Sequence, residues 1–220
     1  MAHGFGEQVR YLRKHLRIIC SVGILAVCLS WVGVEPAIAG PPTEAMKGTI
    51  DEVLRILANK EFKQPSKVEE RRSLLEKVIG DRFDYEELTE RALGKHWKGV
   101  SPDQRKEVVD LFRSLLIKTY ANRIESYSGE GVQYLRERVE HIEGKEYAEV
   151  LTKILSEKSA LRADYQLIHK AGDWRVYDVK IEDVSLVRNF RSQFDRVIEK
   201  SSFAGLLEEL REKSGKFKAP

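Results

Sequence analysis

Between residues 146 and 181 apolar and polar side chains alternate, and a period of two fits a strand with one buried face. Ala148, Val150, Thr152 and Ile154 share one side of the first run, against Glu149 and Lys153. Ala163, Tyr165 and Leu167 oppose Arg162, Asp164 and Gln166, and Tyr177, Val179 and Ile181 oppose Asp178 and Lys180. The pattern predicts four strands over 132–142, 146–156, 160–170 and 173–182, with hairpin turns at Glu143-Gly144 and Ala171-Gly172. Residues 44–127 before the strands, and 184–213 after them, repeat at three and four instead. Helices on both flanks with no strand–helix alternation predict an α+β fold: a twisted antiparallel four-stranded sheet cupped by six or seven helices.

Local signals place the helix ends. Ser66 with Glu69 reads as a cap for a helix through Leu74, Leu75, Val78 and Ile79, which Gly80 would stop. Asp84 would cap a helix reaching Leu93, with Gly94 as its stop. Ser101-Pro102 starts a long helix running to about Tyr127. Its apolar face, Val108 through Phe112, Leu116 and Tyr120 to Ile124, is wide, and plain core packing is the ordinary use of such a stripe. Asp183 or Ser185 would open the next helix, and Asp178 is expected on the polar face of the sheet.

The first 39 residues read as an address. A basic stretch, Arg10 to Arg17, precedes the uncharged apolar run Ile18–Val34. The small-residue pattern Ala37-Ile38-Ala39 follows. That order is a secretory signal peptide cleaved after Ala39, leaving residues 40–220 as a single exported, periplasmic domain. An uncleaved anchor is the alternative, since the apolar run just reaches the length of a membrane span. Cys20 and Cys28 both leave with the leader, so the remainder has no disulfide or thiolate chemistry. The leader also removes four basic and two acidic groups, so 34 basic and 33 acidic side chains remain. A near-neutral chain lacks the field that nucleic acid requires, and no nucleic-acid partner is expected.

No catalytic constellation stands out. His96, His141 and His169 form no ligand pair, and there is no nucleophile elbow, P-loop or dinucleotide fingerprint. Acidic pairs such as Glu69-Glu70 and Glu86-Glu87 sit among lysines and arginines and read as solvated helix faces. No metal, cofactor or enzyme activity is expected.

Phe83-Asp84, Ala92 to Trp97, Ser101 to Gln104, Phe112 to Leu116 with Thr119 to Ala121, Tyr127 to Glu130, Gly172 to Val179 and Val184 to Phe194 occur in an order that resembles the MlaC, or toluene-tolerance, family. One departure is Asp183, where the family usually has Gly. The resemblance spans Phe83 to Phe217. It implies an apolar pocket between sheet and helices, with phospholipid as cargo. It also implies a shuttle between an outer-membrane lipoprotein complex and an inner-membrane ABC transporter with MCE domains, maintaining outer-membrane lipid asymmetry or solvent tolerance. The candidate lining residues are Phe112, Leu116 and Tyr120 on the long helix, and Val150, Ile154, Tyr165, Leu167, Tyr177, Val179 and Ile181 on the sheet. Val184, Val187 and Phe190 complete the set from the returning helix. Core packing without ligand contact needs the same residue types. Trp97 and Trp174 read as structural, and Arg191 as a surface ion pair or a headgroup neighbour. The rival readings are a small cone-shaped α+β enzyme using Asp178 or His169 as base, and a membrane-tethered adaptor.

Overall fold

The computed structural model describes residues 40–125, 131–155 and 160–215. The leader, most of the Ser128–Gly131 turn and the tail after Gly215 lie outside the described residues. Helices α1 (Pro41–Ala58), α2 (Val68–Arg82), α3 (Tyr85–Leu93) and α4 (Pro102–Glu125) come first. Strands β1 (Val132–Ile142), β2 (Lys145–Leu155), β3 (Ala160–Lys170), β4 (Asp173–Ile181) and β5 (Val184–Ser185) follow. Helices α5 (Leu186–Lys200) and α6 (Phe203–Ser214) close the chain. The α+β class holds, but the sheet has five strands, in sequence order and antiparallel throughout. The fifth is two residues long, too short to carry an alternation.

Three of the four strand connections are two-residue turns, and the fourth, 156–159 between β2 and β3, lies outside the described residues. Glu143-Gly144, Ala171-Gly172 and Glu182-Asp183 all have positive φ at both positions, the geometry that matches strand twist. The first two place Gly at the second position. The third has no glycine, with φ of 46° and 65°.

The helix ends follow mostly from local chemistry. Asp84 accepts from Glu87 N at 3.0 Å, and Gly94 leaves α3 with φ 54°. Ser101 and Gln104 cap α4 reciprocally, at 3.3 and 3.2 Å. Ser185, not Asp183, caps α5 by accepting from Arg188 N at 3.0 Å. Two expected signals give way to packing. Residues Pro65–Lys67 form a short 3₁₀ turn and α2 starts at Val68, so Ser66 does not cap it. The helix also runs past Gly80 to Arg82, where Arg82 donates to Asp173 and to the Trp174 carbonyl of β4. The first helix has no cap of its own; Glu137 on β1 accepts from Thr43 N at 2.8 Å and Gly40 N at 3.2 Å.

Two cores result. Leu88 and Leu93 of α3, Val108 and Phe112 of α4, Phe194 of α5 and Leu206 of α6 form the helical one. Phe112 meets the rings of Phe190 and Phe194 edge-on, at 4.8 and 4.9 Å. Met46 of α1 packs with Ala148, Val150, Leu167, Trp174 and Val176 over one sheet face to form the other.

A bulge corrects the expected facing of β4. The register passes from Gln166–Asp178 to Leu167–Val176, which leaves Tyr177 as an extra residue. Val176, Val179 and Ile181 therefore share the α1 side with Leu167, Tyr165 and Ala163. Tyr177 turns to the opposite face, beside Tyr147, with the Arg91 guanidinium 4.0 Å from its ring centre. Asp178 also faces that way, yet it is buried rather than wet, because α5 starts on top of it. It accepts from Ser185 Oγ at 2.5 Å and Val187 N at 3.0 Å.

A left-handed conformation costs a non-glycine residue about 1 kcal/mol, and the exposed Arg162–Asp183 pair returns less than that. Asp183→Gly should raise unfolding stability by up to about 1 kcal/mol, read as a higher urea midpoint at unchanged slope. A lower midpoint would show that Asp183 is not strained.

Candidate functional site

The long helix α4 does two jobs along its length. Its first half inserts Val108, Leu111 and Phe112 into the helical core. Its last turns carry Ile117, Ala121 and Ile124, with Tyr120 at the edge of that core, into the lining of a space beside the sheet. Helix α2 stands opposite, with Leu75 and Ile79 facing inward. Between α2, α4 and the β3–β4–β5 end of the sheet lies a cavity of about 640 Å³. That is an ordinary volume for a ligand site. Its floor is Tyr165, Val179 and Ile181, and its ends are Phe83 with Tyr85, and Val184, Leu186 and Asn189.

Five lining side chains are charged: Glu69, Arg72, Glu76 and Arg123 are exposed, and Glu125 is largely buried among its ion pairs. Several of them clamp α2 to α4. Glu125 accepts from Arg72 Nε at 2.6 Å and from Arg71 Nη2 at 2.8 Å. One turn further along α2, Glu76 meets Arg113 at 3.3 Å, and the Arg113 guanidinium lies 5.3 Å from the Tyr85 ring centre. Burial pushes the Glu125 carboxyl up, but the hydrogen bonds and charges of Arg72 and Arg71 outweigh it and leave it below the usual range. A carboxylate lowered by folding stabilises above its unfolded pKa and stops doing so as pH falls through its folded one. The clamp is therefore intact at neutral pH. Burial also raises the Tyr85 and Tyr120 hydroxyls, as expected beside a dry space.

Of the thirteen candidate lining residues, Leu116, Tyr120, Tyr165, Val179, Ile181 and Val184 line the cavity. The other seven lie elsewhere. Phe112, Val187 and Phe190 belong to the helical core, and Val150 and Leu167 to the core under α1. Tyr177 is on the other sheet face, because of the bulge. Ile154 is on the correct face but opposite Leu161, outside the lining. Sequence reasoning missed Ile117 and Ala121. They form, with Ile124, a second row beside Leu116 and Tyr120, and the unusual width of the apolar face was the available signal. Leu75 and Ile79 were read as helix core only. Trp97 and Trp174 are buried as structural residues should be. Arg191 donates to the Arg91 carbonyl at the end of α3, at 2.7 Å, and does not reach the cavity.

The two bases proposed for an enzyme do not meet this space. Asp178 spends its oxygens on the start of α5, and His169 pairs with Glu146 at 2.7 Å. Among the described residues no group of His, Cys, Asp or Glu could hold a metal ion, and no helix is long and apolar enough to cross a membrane.

A meander sheet roofed by helices, with one dry cavity at the seam, defines the class: an α+β protein built to enclose an apolar ligand. The chain matches the MlaC protein family over residues 47–212, and it belongs to that family. It is 25% identical over 159 residues to the toluene tolerance protein ttg2D of Pseudomonas putida, covering 71% of this chain and 72% of that one. Its fold is similar to a phospholipid-binding protein of Ralstonia solanacearum solved with a phospholipid. That comparison has a TM-score of 0.68 and 25% identity, over 80% of this chain and 98% of that one.

Two substitutions on adjacent stretches of β4 separate the faces. Val179→Glu should abolish binding of an apolar fluorescent dye, because an unpaired charge in a dry cavity costs several kcal/mol. Tyr177→Glu should leave dye binding within about twofold, since its new carboxylate meets Arg91 across the sheet. Equal loss in both would contradict the bulge. Breaking the clamp with Glu125→Gln should speed dye entry about tenfold, the effect of losing roughly one charged hydrogen bond. Stopped-flow fluorescence reads that rate, and an unchanged value would mean that the dye enters elsewhere.

Proposed function

We propose that this chain is an exported phospholipid carrier. The observation that carries the reading is the lining of the cavity: mostly apolar side chains, with exposed charges such as Glu69, Arg72 and Glu76 beside them. Acyl chains need the former, and a headgroup left at the mouth needs the latter. The solved relative that holds a phospholipid in the same fold supports it. The leader-like first 39 residues suit a periplasmic setting. The role then follows as a binding and transport protein, not a catalyst.

Energetics limit what such a carrier does. Each methylene sheltered from water is worth about 0.8 kcal/mol, so some ~25 of them are worth on the order of 20 kcal/mol. A bilayer offers nearly the same shelter. Exchange between membrane and cavity is therefore close to balanced, and the carrier shields lipid without driving it. Direction comes from its partners. In the fullest form of this reading these are an outer-membrane lipoprotein complex and an inner-membrane ABC transporter with MCE domains. Passage of lipid between them would maintain outer-membrane asymmetry and solvent tolerance.

The test is native mass spectrometry of residues 40–220, made in a bacterial periplasm and purified without detergent, followed by lipid extraction. A discrete added mass that matches phospholipid is expected. A bare polypeptide mass that stays bare after incubation with liposomes would overturn the carrier reading.

A further inference from the structure

The start of α1 is built around one carboxylate. Pro41 and Pro42 have no backbone N–H, so Gly40 N and Thr43 N are the first donors that the helix presents. Both go to the same oxygen, Glu137 Oε2, at 3.2 and 2.8 Å and across 97 and 94 residues of chain. The carboxylate comes so near that a Cβ on Gly40 would collide with Glu137 Oε1. The φ of Gly40 is −87°, open to any residue, so the contact with Glu137 and not backbone freedom requires the glycine.

Gly40 is also the residue that a cut after Ala37-Ile38-Ala39 would expose. While the leader is attached, Gly40 N is an amide with one hydrogen and no charge. Hydrolysis of the Ala39–Gly40 bond puts the hydroxyl of a water on the Ala39 carbonyl carbon and its proton on Gly40 N. The amine so released has an ordinary pKa of about 8, and at neutral pH it takes a second proton, the one that the new Ala39 carboxyl gives up. Alone, that charge would oppose the helix, whose N-terminus is the positive end of its dipole. Glu137 reverses the balance. Its carboxylate already stands within hydrogen-bond reach, and a bond between two charged groups is about twice as strong as a neutral one.

We propose that leader removal creates an ion pair between the Gly40 α-ammonium and Glu137 that fastens α1 to β1, so that the processed chain is more stable than its precursor. The inference rests on cleavage after Ala39. What fastens α1 bears on the rest of the fold. Met46 of α1 packs on the sheet core, and Thr49 accepts from Arg82 Nε of α2 at 2.9 Å. Helix α2 is in turn one wall of the cavity. A precursor without this tie folds less firmly, which suits a chain that crosses a membrane before it folds.

The test compares the full chain, expressed with its leader and purified from a bacterial periplasm, with a form carrying one valine inserted between Ala39 and Gly40. Each is made with and without Glu137→Gln. Valine is too large to precede the cut, so the inserted form starts one residue earlier, with Gly40 N an amide and the amine moved by about 3.8 Å. Intact mass verifies each start. With Glu137 present, the insertion should lower the thermal midpoint by about 3–5 °C, the effect of losing one charged hydrogen bond in a chain of this size. With Glu137→Gln, the insertion should leave the midpoint unchanged or raise it, because the amine then only opposes the helix. A role in packing alone would not give that reversal, and equal losses in both backgrounds would overturn the proposal. Should Glu137→Gln fail to fold, acylation of the unaltered chain near neutral pH decides. The Gly40 amine should react about tenfold more slowly than that of a Gly-Pro-Pro-Thr peptide, the slowing that a rise of about one pKa unit gives, and equal rates would overturn the ion pair. A periplasmic chain whose mass begins at any residue but Gly40 would instead overturn the leader reading.

Discussion

Much of the molecule depends on one extra residue in β4. Without the bulge at Tyr177, strict alternation would put Val176 and Val179 on opposite faces. With it, Val176 joins the core under α1 while Val179 floors the cavity. Asp178 sits just past the bulge on the far face, as strict alternation from Val179 also requires, and there its carboxylate takes two donors from the start of α5. A buried charge is tolerable there because those donors and the positive end of the helix compensate it. Sheet and helical layer are thereby joined beside the mouth, in addition to the contacts of Asp84 with Val176 and of Arg91 with Tyr177.

The cavity persists because its walls are held from their ends. Helix α4 is anchored by its first half in the helical core, and α2 by Arg82 on β4. Their free stretches face each other across a gap that side chains do not fill. A typical core would close such a gap to gain contacts. Here the ion pairs of Glu125 and Glu76 act across it, so the space is spanned at its rim and left open within.

Most of the architecture was legible in the sequence. Period-two alternation gave four strands nearly to their ends, and the Asp84, Ser101 and Ser185 caps are local chemistry that tertiary structure left alone. The failures are equally physical. Ser66 and Gly80 are good local signals that fail separately: Ser66 falls inside the 3₁₀ turn Pro65–Lys67, and the stop at Gly80 is passed as Arg82 reaches β4. The Tyr177 bulge has a faint local signature that the expected alternation passed over: Val176 and Tyr177 are adjacent apolar residues, where the phase of Trp174 and Val176 gives way to that of Val179 and Ile181. That single slip accounts for the misplacing of Tyr177, while the unexpected burial of Asp178 comes from α5 starting on top of it. The lining was half legible for a different reason. Apolar residues at a cavity and in a core are the same types, and Phe112 and Tyr120 are two turns apart on one stripe. What separates them is where the neighbouring helices stop.

The meander also orders the assembly of the fold. Every strand pairs with its neighbour in sequence, so the hairpins close over short stretches of chain and need no distant partner. The roof is different: α1 and α2 precede the sheet and reach it through long-range ties such as Arg82 to the Trp174 carbonyl and Thr43 to Glu137. Such ties form late, because closing the long intervening loop is costly. Until they do, one sheet face is an uncovered apolar surface. The folding chain is therefore most prone to aggregate in the interval between a finished sheet and a closed roof.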